Sequence, residues 1–84
     1  MRAEEVLPGG TDTVDINGVT VRKGSVGAFL ANAAALGDPA TTFDARSAVL
    51  RDIEDSLPAL RALGLFDVFE IRDPLLRAFV ATRP

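Results

Sequence analysis

Three consecutive residues, Lys23, Gly24 and Ser25, are the residues best placed to bind a small ligand. They stand where a strand pattern gives way to a helix pattern, and Ser25 can cap the helix. A helix N-terminus presents free N–H groups and positive potential, which favour an anion. The glycine spacing of a P-loop or a dinucleotide fingerprint is absent, so a plain strand-to-helix turn with a serine cap is the more ordinary explanation of these residues. Anion or small-ligand binding here is our second hypothesis for function.

Carboxylates are the other candidates for chemistry. Asp52 and Asp55 are three residues apart on a helix, where they share a face and can hold a divalent cation or act as an acid–base pair. Two exposed acids on a helix more commonly form a solvated surface. Asp67 and Glu70 would point to opposite faces of a regular strand, and Asp73 is expected to cap a helix. We therefore predict no metal, no cofactor and no catalytic residue.

The residue types that are missing narrow the function classes. The 84 residues include no Cys, His, Trp or Tyr, so the chain has neither a thiolate nor an imidazole for catalysis or metal binding. The net charge of −3, with scattered basic residues, provides no basic surface for nucleic acid. No apolar run reaches the roughly 20 residues of a membrane span. Acids near the N-terminus argue against a signal peptide. We expect a cytoplasmic, non-enzymatic protein, and its Arg- and Ala-rich composition indicates a bacterial source.

The elements that position these residues begin with a predicted β-hairpin over residues 13–22. Asn17 and Gly18 tolerate the positive φ that a two-residue type I′ turn demands. Cross-strand partners share a face, so this turn sorts apolar from polar side chains. One face carries Val14, Ile16, Val19 and Val21, and the other carries Thr13, Asp15, Thr20 and Arg22.

Helical spacing and helix-end signals predict four helices. The ends rest on Ser25 as the first cap, Gly37 as a C′ residue, Thr42 or Thr41 as the second cap, and Asp73 before a proline. Pro58 lacks the N–H for the carbonyl four residues back, so we expect a break near Leu57 and a stop at Gly64. The predicted helices cover 26–36, 43–56, 58–63 and 74–82.

Residues 65–71, LFDVFEI, predict a third strand because Phe, Val and Ile dominate and turn residues follow. The expected order is β-β-α-α-α-β-α. A two-stranded hairpin alone is marginally stable, so the third strand should join it, with the helices packed on one face of the sheet. We therefore expect one small two-layer α+β domain over residues 13–84, preceded by a flexible arm over 1–12.

The predicted helix over 26–36, VGAFLANAAAL, contains no charged residue. A helix that is apolar on all sides is buried on more than one side, either by its own domain or by a partner. Small side chains allow another helix to approach closely, which favours a subunit contact. Our leading hypothesis is protein–protein contact, with a second copy or another protein, and most simply a homodimer. The candidate interface residues are Gly27, Ala28, Ala31 and Ala35.

Overall fold

A computed structural model describes residues 1–2 and 13–84, which form a small α+β domain. Of the predicted arm over 1–12, residues 3–12 therefore lie outside the described residues. The elements in chain order are β1 (Thr13–Ile16), β2 (Val19–Arg22), α1 (Ser25–Gly37), α2 (Phe43–Leu63), α3 (Leu65–Val68) and α4 (Pro74–Ala81). The fold class is as predicted, but the layout of the helices and the sheet differs.

The hairpin of β1 and β2 has the predicted register. Val14 pairs with Val21, and Ile16 pairs with Val19, across an antiparallel ladder. The turn needs positive φ, which Asn17 adopts at 51° and Gly18 at 81°. Only Val21, 3% exposed, is fully buried; Ile16 and Val19 are half-buried and Val14 is 54% exposed, so the apolar face of the hairpin is only partly covered.

Helix α1 begins and ends differently from the prediction. Ser25 lies inside the helix, and its hydroxyl donates to the carbonyl of Arg22 at 2.7 Å, so the preceding Gly24 is the N-cap without a side-chain bond. Gly37 is the last helical residue and does not adopt positive φ. Both predicted boundary roles are therefore wrong. Arg46 of α2 donates to the carbonyl of Leu36 at 2.8 Å, which satisfies the helix end without a left-handed glycine.

Helix α2 runs through Pro58 without a break, contrary to the expected end at Leu57. Ile53, Leu57 and Leu60 are at most 1% exposed, and the continuous helix keeps all three on one buried face. Burying each such side chain stabilises the fold by about 1.5–3 kcal/mol. Together they outweigh the roughly 3 kcal/mol that a proline in a helix interior costs. The cap by Thr42 and the stop at Gly64, with φ of 79°, are confirmed.

The predicted third strand is absent, because the sheet in the described chain has two strands. Gly64 turns the chain back, and residues 65–68 form the single helical turn α3 instead. This turn places Phe66 against Phe29 of α1, with ring centroids 5.7 Å apart. A regular strand would instead place Phe66 and Phe69 on opposite faces. The next helix starts as predicted: the Asp73 carboxylate accepts from the N–H of Leu75 at 3.0 Å.

The core is built by three helices rather than by helices on a sheet. Six buried side chains form it, two of them from α4, and within the described residues no helix is long and apolar enough to cross a membrane. The core residues are Phe29 of α1, Ile53, Leu57 and Leu60 of α2, and Leu76 and Val80 of α4.

Candidate functional site

The exposed side of α1 carries only apolar and small residues. Its exposed positions include Gly27, Leu30, Ala34 and Gly37, which follow the three- and four-residue spacing of one helix face. Leu30 is 62% exposed, although its neighbour Phe29 belongs to the core. We call these four residues the α1 stripe. A helix face turned to water normally carries charges, and this one has none.

An open apolar groove of about 490 Å³ lies beside the α1 stripe. One wall is α1, with Val26, Leu30 and Ala33, and the other is formed by α3 and the chain after it, with Phe66 and Phe69. Phe69 is 66% exposed, so the groove has a large unburied aromatic on one side and Leu30 on the other. The charged residues that line the groove are Glu70, Arg72 and Asp73, which lie between α3 and α4 in the chain.

The predicted interface residues do not share one open face. Ala28 is 2% exposed and packs within its own chain, so it has no surface to offer a partner. Gly27 is exposed and belongs to the α1 stripe, while Ala31 and Ala35 are half-buried. A partner on α1 would therefore meet Gly27 and Leu30 rather than the small-residue set as a whole. The interface itself stays a prediction.

Asn32 has a structural role that the sequence analysis did not identify. It is 3% exposed, and its amide donates to the carbonyl of Met1 at 2.7 Å while its oxygen accepts from the Met1 amino group. The same amino group lies 3.0 Å from the carboxylate of Asp52. The sequence did contain a signal for this role: Asn32 is the one side-chain amide in a helix without charges, and a buried polar side chain requires a hydrogen-bond partner.

The carboxylates of Asp52 and Asp55 bind an arginine. The guanidinium of Arg2 lies 2.9 Å from Asp52 and 2.7 Å from Asp55, and it bridges the two acids. Asp52 and Asp55 therefore share a helix face, as their spacing predicted, and both form an ion pair with Arg2. Among the described residues there is no group of three acidic side chains that could hold a metal ion.

The acids after α2 have separate roles. Glu70 pairs with Arg77 of α4 at 3.1 Å, and Asp73 caps the same helix. Asp67 lies in the first turn of α3, where a negative charge suits the helix N-terminus.

In the turn formed by Lys23, Gly24 and Ser25, the Ser25 hydroxyl already donates a hydrogen bond within the chain. Ser25 is 5% exposed, and its hydroxyl proton goes to the carbonyl of Arg22. Gly24 is buried, and its carbonyl accepts from the N–H of Ala28 at 2.9 Å. An anion here would depend on backbone N–H groups and Lys23, without the hydroxyl proton. Anion binding stays a prediction.

Comparison with known proteins gives no relative from which a role can be transferred. The chain matches no protein-family model, no curated protein and no solved structure. Arguments about function therefore depend on the groove and the α1 stripe themselves.

Proposed function

We propose that this protein acts through protein–protein contact as a homodimer centred on Leu30 of α1. The observation that carries the proposal is the exposure of Leu30, 62%, on a charge-free helix at the edge of an apolar groove. An isolated exposed leucine is ordinary on a protein surface. Leu30 is not isolated, because Phe69, also more than half exposed, lines the same groove. Contiguous apolar surface of this kind marks interaction sites.

The gain from covering this surface is substantial for so small a chain. Burial of a leucine or phenylalanine side chain is worth about 1.5–3 kcal/mol. Leu30 and Phe69 are only partly exposed, so each would contribute a fraction of that amount in each protomer. A second copy doubles the gain, because a twofold interface uses the same patch on both subunits. Stable interfaces typically have a few well-packed anchor residues near the centre, surrounded by contacts that contribute little energy but exclude water.

The lack of charge on α1 favours a second copy as the partner. In a twofold interface, a residue near the axis meets its own counterpart, so a charge there would face a like charge. The α1 stripe avoids this repulsion entirely, since its members are Gly27, Leu30, Ala34 and Gly37. Its two glycines and its alanine also leave room for the backbones of two helices to approach.

The rest of the proposal rests on composition. Without Cys or His, the chain lacks a thiolate nucleophile and the commonest general base near neutral pH, which favours a binding role over an enzymatic one. A bacterial, cytoplasmic setting is part of the same proposal, and the Arg- and Ala-rich sequence supports only the bacterial source.

The test is a charge placed on the α1 stripe. Leu30→Glu should convert the dimer to a folded monomer, because two carboxylates would face each other in an apolar contact. Phe43→Glu is the matched control: Phe43 is 82% exposed at the start of α2 and does not line the groove. Size-exclusion chromatography with light scattering gives the molar mass, and circular dichroism checks the fold. A Leu30→Glu variant that stays dimeric would overturn the proposal.

A further inference from the structure

The α1 stripe has a spacing that reads the same in both directions along the helix. Its members, Gly27, Leu30, Ala34 and Gly37, are separated by three, four and three residues, so the midpoint of the stripe falls at position 32, between Leu30 and Ala34. Leu30 is the only large side chain of the stripe, and the other three positions are small. A face with this symmetry can pack against a second copy of itself when the two helices run in opposite directions.

We propose that two copies of the chain pair through α1 in antiparallel orientation, with the twofold axis crossing the α1 stripe between Leu30 and Ala34. This inference rests on the proposed homodimer and specifies how its two helices are oriented and aligned. At 1.5 Å per residue the axis lies about 3 Å along the helix from Leu30, so Leu30 stays at the centre of the interface. Each Leu30 then packs over Ala34 of the other copy, and each Gly27 lies over Gly37 of the other copy.

Side-chain size favours this alignment over a parallel one. In the antiparallel pair a large side chain meets a small one twice, so the two surfaces interdigitate as protein interiors do. In a parallel pair, Leu30 would meet Leu30 and hold the helices apart, while the glycines at both ends would face an empty space. The side chains at the contact set the distance between paired helices, which is about 8–10 Å, and three small residues favour the short end of that range.

Gly37 provides an independent observation that points to a closely packed partner. Its φ is not positive, and a Cβ added to it would meet no neighbouring side chain or more distant backbone within 4 Å. Nothing in the described part of the chain therefore requires glycine at this exposed position, although glycine destabilises a helix relative to alanine. Close approach of a second backbone is a physical reason for a glycine, and the antiparallel alignment brings Gly27 of the other copy to this point.

The charges at the two ends of α1 are complementary in the same arrangement. Lys23 precedes the helix, Asp38 follows it, and both residues are exposed. Antiparallel pairing places Lys23 of each copy at the same end of the interface as Asp38 of the other, and it sets the positive N-terminal end of each helix beside a negative C-terminal end. A parallel pair would bring like charges together at both ends, which opposes association. A second copy therefore fits this surface in both shape and charge.

The distance between two spin labels tests the orientation. The chain has no cysteine, so Lys23→Cys introduces one labelling site per copy, outside the α1 stripe. Lys23 lies nine positions before the axis, so the two labelled sites of an antiparallel pair are about 27 Å apart along the helices, whereas a parallel pair holds them about 8–10 Å apart. Pulsed electron paramagnetic resonance on the dimer should give a separation of about 27 Å or more. A separation near the interaxial distance, or no defined separation, would overturn the orientation.

Exchanging the large and the small residue tests the alignment. Leu30→Ala removes the central contact and Ala34→Leu opposes two leucines, so each should raise the dissociation constant of the dimer about tenfold or more. The double variant should recover most of that loss, because the leucine at position 34 again meets an alanine at position 30 of the other copy. Both positions are exposed, and circular dichroism checks that each variant folds. A double variant as weak as the single ones would show that Leu30 acts through the groove beside Phe69 rather than through Ala34, which would overturn the alignment.

The outcomes separate the two proposals. If Leu30→Glu yields a monomer while the spin-label distance and the size exchange contradict the antiparallel alignment, the homodimer stands and the helix pairing fails. If the unmodified protein is a monomer at every concentration, both fail.

Discussion

The ring of Phe66 meets the ring of Phe29 edge to face, with centroids 5.7 Å apart and planes at 72°. This contact joins α3 to α1 next to the groove, and both rings line it. It is also a physical reason for residues 65–68 to leave the strand conformation that their sequence favours. A helical turn after Gly64 brings Phe66 to the core while Val68 remains 77% exposed.

A double-mutant cycle on this pair should reveal a specific coupling. Aromatic pairs in edge-to-face geometry contribute about 0.5–1.5 kcal/mol beyond the area that they bury. We expect Phe29→Leu and Phe66→Leu to destabilise the protein by less in combination than the sum of their separate effects, with a difference in that range. Urea unfolding at a fixed protein concentration measures all four free energies. Additive effects would show that the rings do not interact.

Replacing Pro58 should stabilise the protein. Pro58 lies inside α2, is exposed, and cannot donate to the carbonyl of Glu54. Proline costs about 3 kcal/mol relative to alanine in a helix interior. Its restriction of the unfolded chain returns up to about 1 kcal/mol. The free energy of unfolding of Pro58→Ala should therefore rise by about 2 kcal/mol. An unchanged or lower value would mean that α2 is interrupted at this position.

The contacts of the first two residues should differ in strength. Asn32→Ala removes two part-buried hydrogen bonds with Met1, and at about 1 kcal/mol each the expected loss is about 2 kcal/mol. Arg2→Ala removes ion pairs whose guanidinium side chain is 43% exposed, and such pairs contribute about 0–1 kcal/mol. The Arg2 effect should also shrink with added salt, and the Asn32 effect should not. Thermal unfolding at low and high salt compares them, and the reverse order would contradict this description.

The local parts of the fold were predictable because short-range chemistry determines them. The turn at Asn17 and Gly18 set the register of the hairpin, and Asp73 capped its helix as expected. Gly64 ended α2 with positive φ, which few residues other than glycine adopt at low cost.

The errors arose where contacts distant in sequence outweigh local preference. Pro58 signals a helix end, but the buried Leu57 and Leu60 keep α2 continuous. Residues 65–71 have strand composition, yet the contact of Phe66 with Phe29 favours a helical turn. No local pattern shows which neighbour a side chain will meet.

The sequence indicated which helix carries the candidate site, but not which face of that helix is exposed. The charge-free sequence singled out 26–36, whereas which side of that helix faces water depends on the packing of α2, α3 and α4. Ala28 lies inside and Leu30 outside as a result. The groove could not be foreseen, because its second wall is the segment whose structure was predicted incorrectly.

The most direct test of the central claim is the molar mass of the unmodified protein in solution, measured by light scattering on a size-exclusion column over a wide concentration range. The homodimer predicts about twice the 8.9 kDa of the chain, with dissociation only at the lowest concentrations. A mass equal to one chain at every concentration would contradict it.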